Sequence, residues 1–589
     1  MIYSAIRHDY SKEMQSVIDL NTLEISLETA RDDLSRAVLI YGPRYSENGD
    51  ANNKIEMNLK YQSKYHDIYS IRLKLEDTRL RYLFFLEDQL GNRVWYNEKG
   101  FFESRPKGYD SGYFQKAIIN KSDLKRNPDW AQNAVIYQIF PDRFFRESND
   151  NYKNSEWKEL PDRDSIYGGN IQGIIKKLDY LQKLGIDTIY LTPIFKSPSN
   201  HKYNIDDYYQ IDSNFGSLDD ARELSKKAEA KGIKLIIDAV FNHSSANFFA
   251  FKDLIEEGED SEYIDWYFPE SFPLSKEDIN YSTFANDVRD MPRLNLENPE
   301  TQSYFLNVAE YWTEELDLDG WRLDVADEVS HDFWQKFRTR LRKINNEIFI
   351  IGEVWYRASN WLDGDTFDSV MNYDLQRDIY SLIVEEKMDI DKFSSQIQEN
   401  FKHYHPETPN YLVNLLDSHD TARFNWELRN LKQEEINKKM KFAISLQFLL
   451  PGIPLIYYGS EIGLTGDDDP DCRRPMIWEQ NQQNQELFNY YQSIISYYQE
   501  NDDLRKGDYK ELFTDPLREI LIFSRTDKDS NKNSTVIIIN MSQQKQEISD
   551  AKIIDFLEDK KLSFSMHQRN SKDNHKIFEI DKEQILIYR

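Results

Sequence analysis

Gly320-Trp321-Arg322-Leu323-Asp324-Val325-Ala326-Asp327-Glu328, residues 320–328, reads as a buried β-strand that nevertheless carries an arginine and an aspartate. Side chains alternate along a strand, so Trp321, Leu323 and Val325 share one face while Arg322, Asp324 and Ala326 share the other. The two opposite charges therefore point the same way. A buried ion pair seldom contributes net stability, so this strand either holds a structural salt bridge or supports chemistry. Which of the two applies depends on what the rest of the chain brings to Asp324.

On the amino-terminal side, VIYQIF (135–140), IDTIYL (186–191) and KLIIDAVF (234–241) read as short apolar strands separated by helical stretches at 170–184 and 217–232. In the second of these helices Leu218, Ala221, Leu224 and Ala228 mark one face, Ser217 is the N-cap and Gly232 the stop. On the carboxyl side follow IFIIGEVW (348–355), FDSVMNY (367–373), YLVNLLDS (411–418) and IPLIYYG (453–459), with helical segments between most of them. Eight strands alternating with helices predict an α/β fold, a (β/α)8 TIM barrel over 123–504, rather than an open sheet. The connection from Phe241 to Gly320 is much longer than its neighbours. Its excess predicts a small loop-inserted subdomain, 243–299, of the kind that shapes a site.

The flanks have a different rhythm. Residues 1–122 alternate with period two in segments such as RYLFFLE and RVWYNE, which predicts an N-terminal β-sandwich. Residues 505–589 return to this pattern in REILIFSR and STVIIINMS, which predicts a C-terminal β-sandwich.

Composition narrows the function. A formal net charge of -29 over 589 residues argues against nucleic acid and anionic membranes as partners, both of which need clustered Lys and Arg. A neutral substrate fits better, and an aromatic content of 14% suits sugar faces as well as a core. The start, MIYSAIRHDYSKEM, lacks the apolar run of a signal peptide, and no long apolar window suggests a membrane span. The lone Cys472, read as an ordinary loop thiol, fits a reducing compartment. The expectation is a cytoplasmic protein.

In a (β/α)8 barrel chemistry sits at the carboxyl ends of the strands. Those ends carry Asp238, Asn242 and His243 after the third strand, Arg322 and Asp324 in the fourth, Glu353 after the fifth, and His419 and Asp420 ending the seventh. Asp324, Glu353 and Asp420 converging there with two histidines are hard to account for by packing alone.

These segments carry a resemblance. DAVFNH (238–243), GWRLDVADE (320–328), GEVW (352–355) and LLDSHD (415–420) resemble, in order, the four signature segments of the α-amylase family of glycoside hydrolases. MPRLN (291–295) resembles the motif of its neopullulanase, cyclomaltodextrinase and maltogenic amylase subgroup. The resemblance implies a retaining α-glucan hydrolase acting on α-1,4 bonds of cyclodextrins, maltodextrins or pullulan, with some sugar transfer. It implies Asp324 as nucleophile kept ionised by Arg322, Glu353 as general acid/base with a proton affinity raised by burial, and Asp420 as the third carboxylate. It further implies His243, His419 and Tyr203 around the sugar before the scissile bond, and Asp238 as a brace through Arg322. Phe284, Trp355 and Trp361 are implied as the acceptor-side platform. Asp327 stands where the subgroup usually has Asn, on the acceptor side. No cofactor is required. Calcium is the one metal to consider, near Asn149, Asp150, Asn151 and Gly169, where oxygen ligands are plentiful, although Asn170 stands where the subgroup tends to have Asp. The N-terminal sandwich is implied to be starch-binding-like and to mediate a homodimer. The competing readings are an α-1,6-acting or exo-acting α-glucosidase of the same family and a non-catalytic sugar-binding barrel.

Overall fold

The computed structural model describes residues 1–46, 49–147, 153–526, 534–548, 554, 557, 560–566 and 578–589. The apolar runs around Arg322 form one parallel sheet: β1 (Ile136–Ile139), β2 (Thr188–Leu191), β3 (Lys234–Ala239), β4 (Gly320–Leu323), β5 (Phe349–Gly352), β6 (Ser369–Val370), β7 (Val413–Leu415) and β8 (Ile453–Tyr457). Their order is β6-β5-β4-β3-β2-β1-β8-β7. A parallel bridge between Met371 and Val413 joins the two edges and closes the cylinder. Each strand is buried almost throughout, as a sheet covered by helices outside and side chains inside requires.

Register decides where the charges go. Asp238 pairs with Arg322, and Leu323 with Gly352, so Asp324 and Glu353 occupy equivalent places one residue beyond their strands. Their backbone N–H groups donate to Ala239 and Leu323 carbonyls at 3.0 Å each. Trp321 points outward, its indole N–H 3.0 Å from Thr313 Oγ1 on the helix Pro299–Glu315. Gly352 is dictated by space, because a Cβ there would lie 2.5 Å from the Phe367 ring.

Helix starts follow local chemistry. Ser217 and Asp220 exchange hydrogen bonds in a capping box that opens the helix Leu218–Glu229. Asn170 Oδ1 accepts from Gly173 N and opens the helix Ile171–Leu184.

Among the described residues the amino-terminal region forms a four-stranded and a six-stranded antiparallel sheet, and the carboxyl-terminal region a five-stranded antiparallel sheet with a separate two-stranded one. The first packs on the barrel through buried Lys402, whose Nζ lies 2.9 Å from Glu28 Oε1, and meets the last through Arg72 and Asp508 at 3.1 Å. No helix among the described residues is long and apolar enough to cross a membrane.

Candidate active site

Arg322, 1% exposed, is the cation at the centre of the barrel mouth. Its Nη1 donates to Asp238 (3.1 and 3.0 Å) and to Asp324 Oδ1 (2.9 Å). Its Nη2 lies 2.9 Å from Glu353 Oε2, without hydrogen-bond alignment, and 4.0 Å from Asp420 Oδ2. One guanidinium thus faces four carboxylates. The alternation expected for residues 322 and 324 holds, but the strand stops at Leu323. Val325 then turns into the left-handed region (φ 45, ψ 46), a costly place for a β-branched residue. The turn aims Val325 N–H at Glu353 Oε2, 3.0 Å away. Trp355 Nε1 donates to the other oxygen at 3.0 Å, so both oxygens of Glu353 are held.

The electrostatics differ from expectation at Asp324. Burial first, and Glu353 opposite it second, push Asp324 well above the usual carboxylate range, and the pull of Arg322 does not offset them. Asp238 is pushed up to about 6 by burial, against Arg322 and hydrogen bonds from Tyr190, Arg322 and Tyr203. Asp420 keeps 28% of its side-chain surface open, yet desolvation raises it as well, against the nearby Arg473. Asp238, Asp324 and Asp420 all have raised proton affinities, and burial is the first cause in each.

Both histidines are buried and neutral. Burial pulls His243 down to about 4, and burial with Arg473 and Arg322 pulls His419 well below its ordinary value. His243 Nε2 contacts Tyr203 O at 3.2 Å, while its Nδ1 is buried with no partner among the described residues. His419 and Asp420 lie in a turn beyond β7, which ends at Leu415, rather than on the strand itself. His419 stacks on Tyr203 at 5.3 Å and 5°, and Tyr203 Oη reaches Asp238 Oδ2 at 3.0 Å.

The aromatic residues divide. Phe284 packs at 5.0 Å on His243. Trp355 is 43% exposed and stacks on Tyr373 at 3.7 Å, an open ring beside Glu353. Trp361 does not join them. It is 7% exposed, stacked between His331 (3.8 Å) and Phe367 (5.2 Å), because the loop after β5 folds it into the wall.

Comparison with known proteins agrees with this geometry. The family described as alpha amylase, catalytic domain, matches residues 138–510, and that described as alpha amylase, N-terminal ig-like domain, matches residues 1–120. The chain belongs to the α-amylase family of glycoside hydrolases. It is 41% identical over 551 residues to a cyclomaltodextrinase of Thermoanaerobacter pseudethanolicus, covering 93% of this chain and 94% of that one. It is 39% identical over 553 residues to neopullulanase 2 of Thermoactinomyces vulgaris, covering 93% and 92%. A solved cyclomaltodextrinase structure superposes with a TM-score of 0.88 at 31% identity, covering 100% of both chains.

Within this α-amylase barrel, three of the residues considered for calcium, Asn149, Asp150 and Asn151, lie outside the described residues. Gly169 and Asn170 have structural duties: a Cβ on Gly169 would lie 2.2 Å from Pro141 O, and Asn170 caps a helix. Asp142 accepts from Tyr167 N, Gly168 N and Arg143 Nε, so this turn is held by protein groups. Asp327 is half-buried and raised, by burial first, with a hydrogen bond from Tyr356 acting against it. Cys472 is a buried thiol rather than an ordinary loop one. It donates to His419 O at 3.3 Å and is pushed up to about 12 by burial.

Sequence reasoning missed Tyr190, whose Oη donates to Asp238 Oδ2 at 2.6 Å, and Arg473, which bonds His419 O at 2.8 Å and Asp420 Oδ1 at 3.4 Å. Tyr190 follows the pattern of the third barrel-facing position in IDTIYL and could have been found there. Arg473 sits in a long loop whose path no period foretells.

Proposed function

We propose that the chain hydrolyses α-1,4-glucosidic bonds of cyclodextrins, short maltodextrins and pullulan with retention of configuration, and transfers some of the sugar to other sugars. The observation that carries this is the placing of Asp324 and Glu353 on different nitrogens of one guanidinium, each at 2.9 Å. That arrangement is compatible with the roughly 5 Å between carboxyls in retaining enzymes.

In the proposed sequence Glu353, protonated, gives its proton to the leaving glucosyl oxygen while Asp324 attacks the anomeric carbon. Glu353 then takes a proton from water, which releases the sugar from Asp324. Arg322 stabilises the Asp324 carboxylate before the attack and again once water has released the sugar. Asp420 is open enough to accept hydrogen bonds from ring hydroxyls, and the free Nδ1 of His243 supplies another polar contact. Tyr203 offers a face beneath the same sugar, and Phe284 and Trp355 supply apolar faces beyond the cleaved bond. Both acid and nucleophile are side chains, so no step is routed through a cofactor.

Products from β-cyclodextrin, pullulan and maltotriose, with the anomer followed by proton NMR, test the reading. Release of the α-anomer supports it. Release of the β-anomer, or an inactive protein, would refute it. The reading extends to a cytoplasmic homodimer assembled through the N-terminal sandwich, on which Tyr45 is 64% exposed. Light scattering that gives a monomer mass at assay concentration would remove the dimer.

A further inference from the structure

Gln138, near the end of β1, is completely buried, and its Nε2 lies 2.7 Å from His419 Nδ1. Its Oε1 has no partner among the described residues. Rotating the amide would pair Oε1 with a protonated Nδ1 and strand Nε2 instead, so either orientation leaves one amide atom unsatisfied. The far side of the ring decides between them. His419 Nε2 faces Asp420 Oδ2 at 3.2 Å and Tyr203 Oη at 2.5 Å. A lone pair there would oppose the Asp420 carboxylate. It would also draw the Tyr203 hydroxyl proton away from Asp238, which accepts it at 3.0 Å. A proton on Nε2 satisfies both, and it requires Nδ1 to accept from Gln138.

We propose that Gln138 is a positioning residue for the glycosyl-transfer site, fixing His419 in its Nε2-protonated form and so directing one line of donation from Gln138 through His419 and Tyr203 to Asp238. The inference rests on the proposed function and names a residue that acts through His419 without touching substrate. A purely structural role does not account for it, because a methionine would fill the same space without a stranded polar atom. His419 is faced by His201 and Tyr203 from the loop after β2, by Arg322 on β4, by Glu353 after β5, by Asp420 in its own turn, and by Arg473 from the loop after β8. Its only neutral amide contact from the β1 side is Gln138 among the hydrogen bonds recorded for its ring. Burial and the two arginines keep the ring neutral, so the choice of tautomer, rather than of charge, is what the site has to fix.

The test compares Gln138→Met and Gln138→Glu with the active parent on β-cyclodextrin, recording kcat, KM, thermal midpoint and the pH profile of kcat/KM. The expected result for Gln138→Met is a midpoint at or above that of the parent with kcat lowered about tenfold or more and KM changed much less. In Gln138→Glu the new carboxyl donates to Nδ1 only when protonated, so activity relative to the parent should rise as pH falls. Two results overturn the proposal: Gln138→Met within about twofold of parental kcat, or losses in both variants that follow the thermal midpoint and leave the shape of the pH profile unchanged. An inactive parent would instead count against the proposed function.

Discussion

Replacing Asp238 with Asn isolates the electrostatic cost built into the mouth of the barrel. The carboxyl is fully buried, accepts hydrogen bonds from Tyr190, Tyr203 and Arg322, and is still pushed up to about 6 because desolvation outweighs them. Its folded value lies above the unfolded one. The stability contributed by the protonated form is therefore fully present below about pH 4 and is lost as pH rises through about 6. The difference between an ordinary aspartate and a group at about 6 corresponds to about 3 kcal/mol. Asn cannot ionise, so the variant escapes this loss. It introduces its own fixed penalty, since an amide N–H would face donors, but that offset does not depend on pH. Unfolding of parent and variant is followed at four pH values between 4 and 7.5, by thermal midpoint at one scan rate because a multidomain chain need not refold. The variant should gain on the parent by about 3 kcal/mol across this range, or several degrees in midpoint. A difference that stays flat would show that the carboxylate is ionised throughout and that Arg322 prevails over burial. Activity should fall in the same variant, because Nη1 of Arg322 would lose one of its two carboxylate partners and keep only Asp324.

Asp324→Asn should lower kcat by about 10³-fold or more while circular dichroism stays parental and the thermal midpoint is not lowered, because a strained buried carboxyl is removed, and substantial turnover would exclude it as nucleophile. Trp355→Ala should lower the ratio of transfer to hydrolysis on maltotriose and raise KM, whereas Trp355→Phe keeps the stack on Tyr373 and should restore much of the ratio; equal behaviour of the two variants would remove the platform role. Gly169→Ala should cost about 1–3 kcal/mol through the collision with Pro141 O, read as a lower midpoint with KM unchanged. Asp378 is buried, raised to about 7 by burial and by Asp374, so its protonated form supports the fold fully below about pH 4 and that support fades as pH passes 7. Asp378→Asn should accordingly raise the midpoint relative to the parent above pH 7, and a lowered midpoint there would contradict the burial argument.

Much of this was legible in the sequence because two periods carry it. The apolar runs from VIYQIF to IPLIYYG all became barrel strands, since a strand covered on both faces leaves a continuous apolar signature. Arg322 and Asp324 share a face because alternation has no alternative. Strand ends were read too long: FDSVMNY reduces to Ser369–Val370, and GWRLDVADE stops at Leu323. Propensity favoured extension at Val325, and the tertiary demand of Glu353 for an N–H overrode it. Trp361 could not be placed from sequence, because an aromatic residue in a loop looks the same whether it lines a cleft or plugs a wall. The surroundings of Asp324 were only half legible for a related reason. Pairing it with Arg322 was correct, but sequence does not reveal how many other acids claim the same cation.

The Met371–Val413 bridge has a consequence for motion. β6 is two residues long, and beyond this bridge its edge is fastened to β7 and the residues just before it by Asn372 N to Val413 O (2.8 Å), by the Asn372 and Asn414 side chains (2.9 Å) and by Ser369 Oγ to Tyr411 O (2.5 Å). The cylinder is mechanically an arc held by a clasp, and a clasp with few bonds opens at lower free energy than the ladders around it. Backbone amides at 371, 372 and 413 should exchange with solvent deuterium sooner than those of β3 and β4. Tyr373, which stacks on Trp355, comes next in the chain, so each brief opening loosens that stack while Asp324, just beyond β4 and two strands away, stays in place.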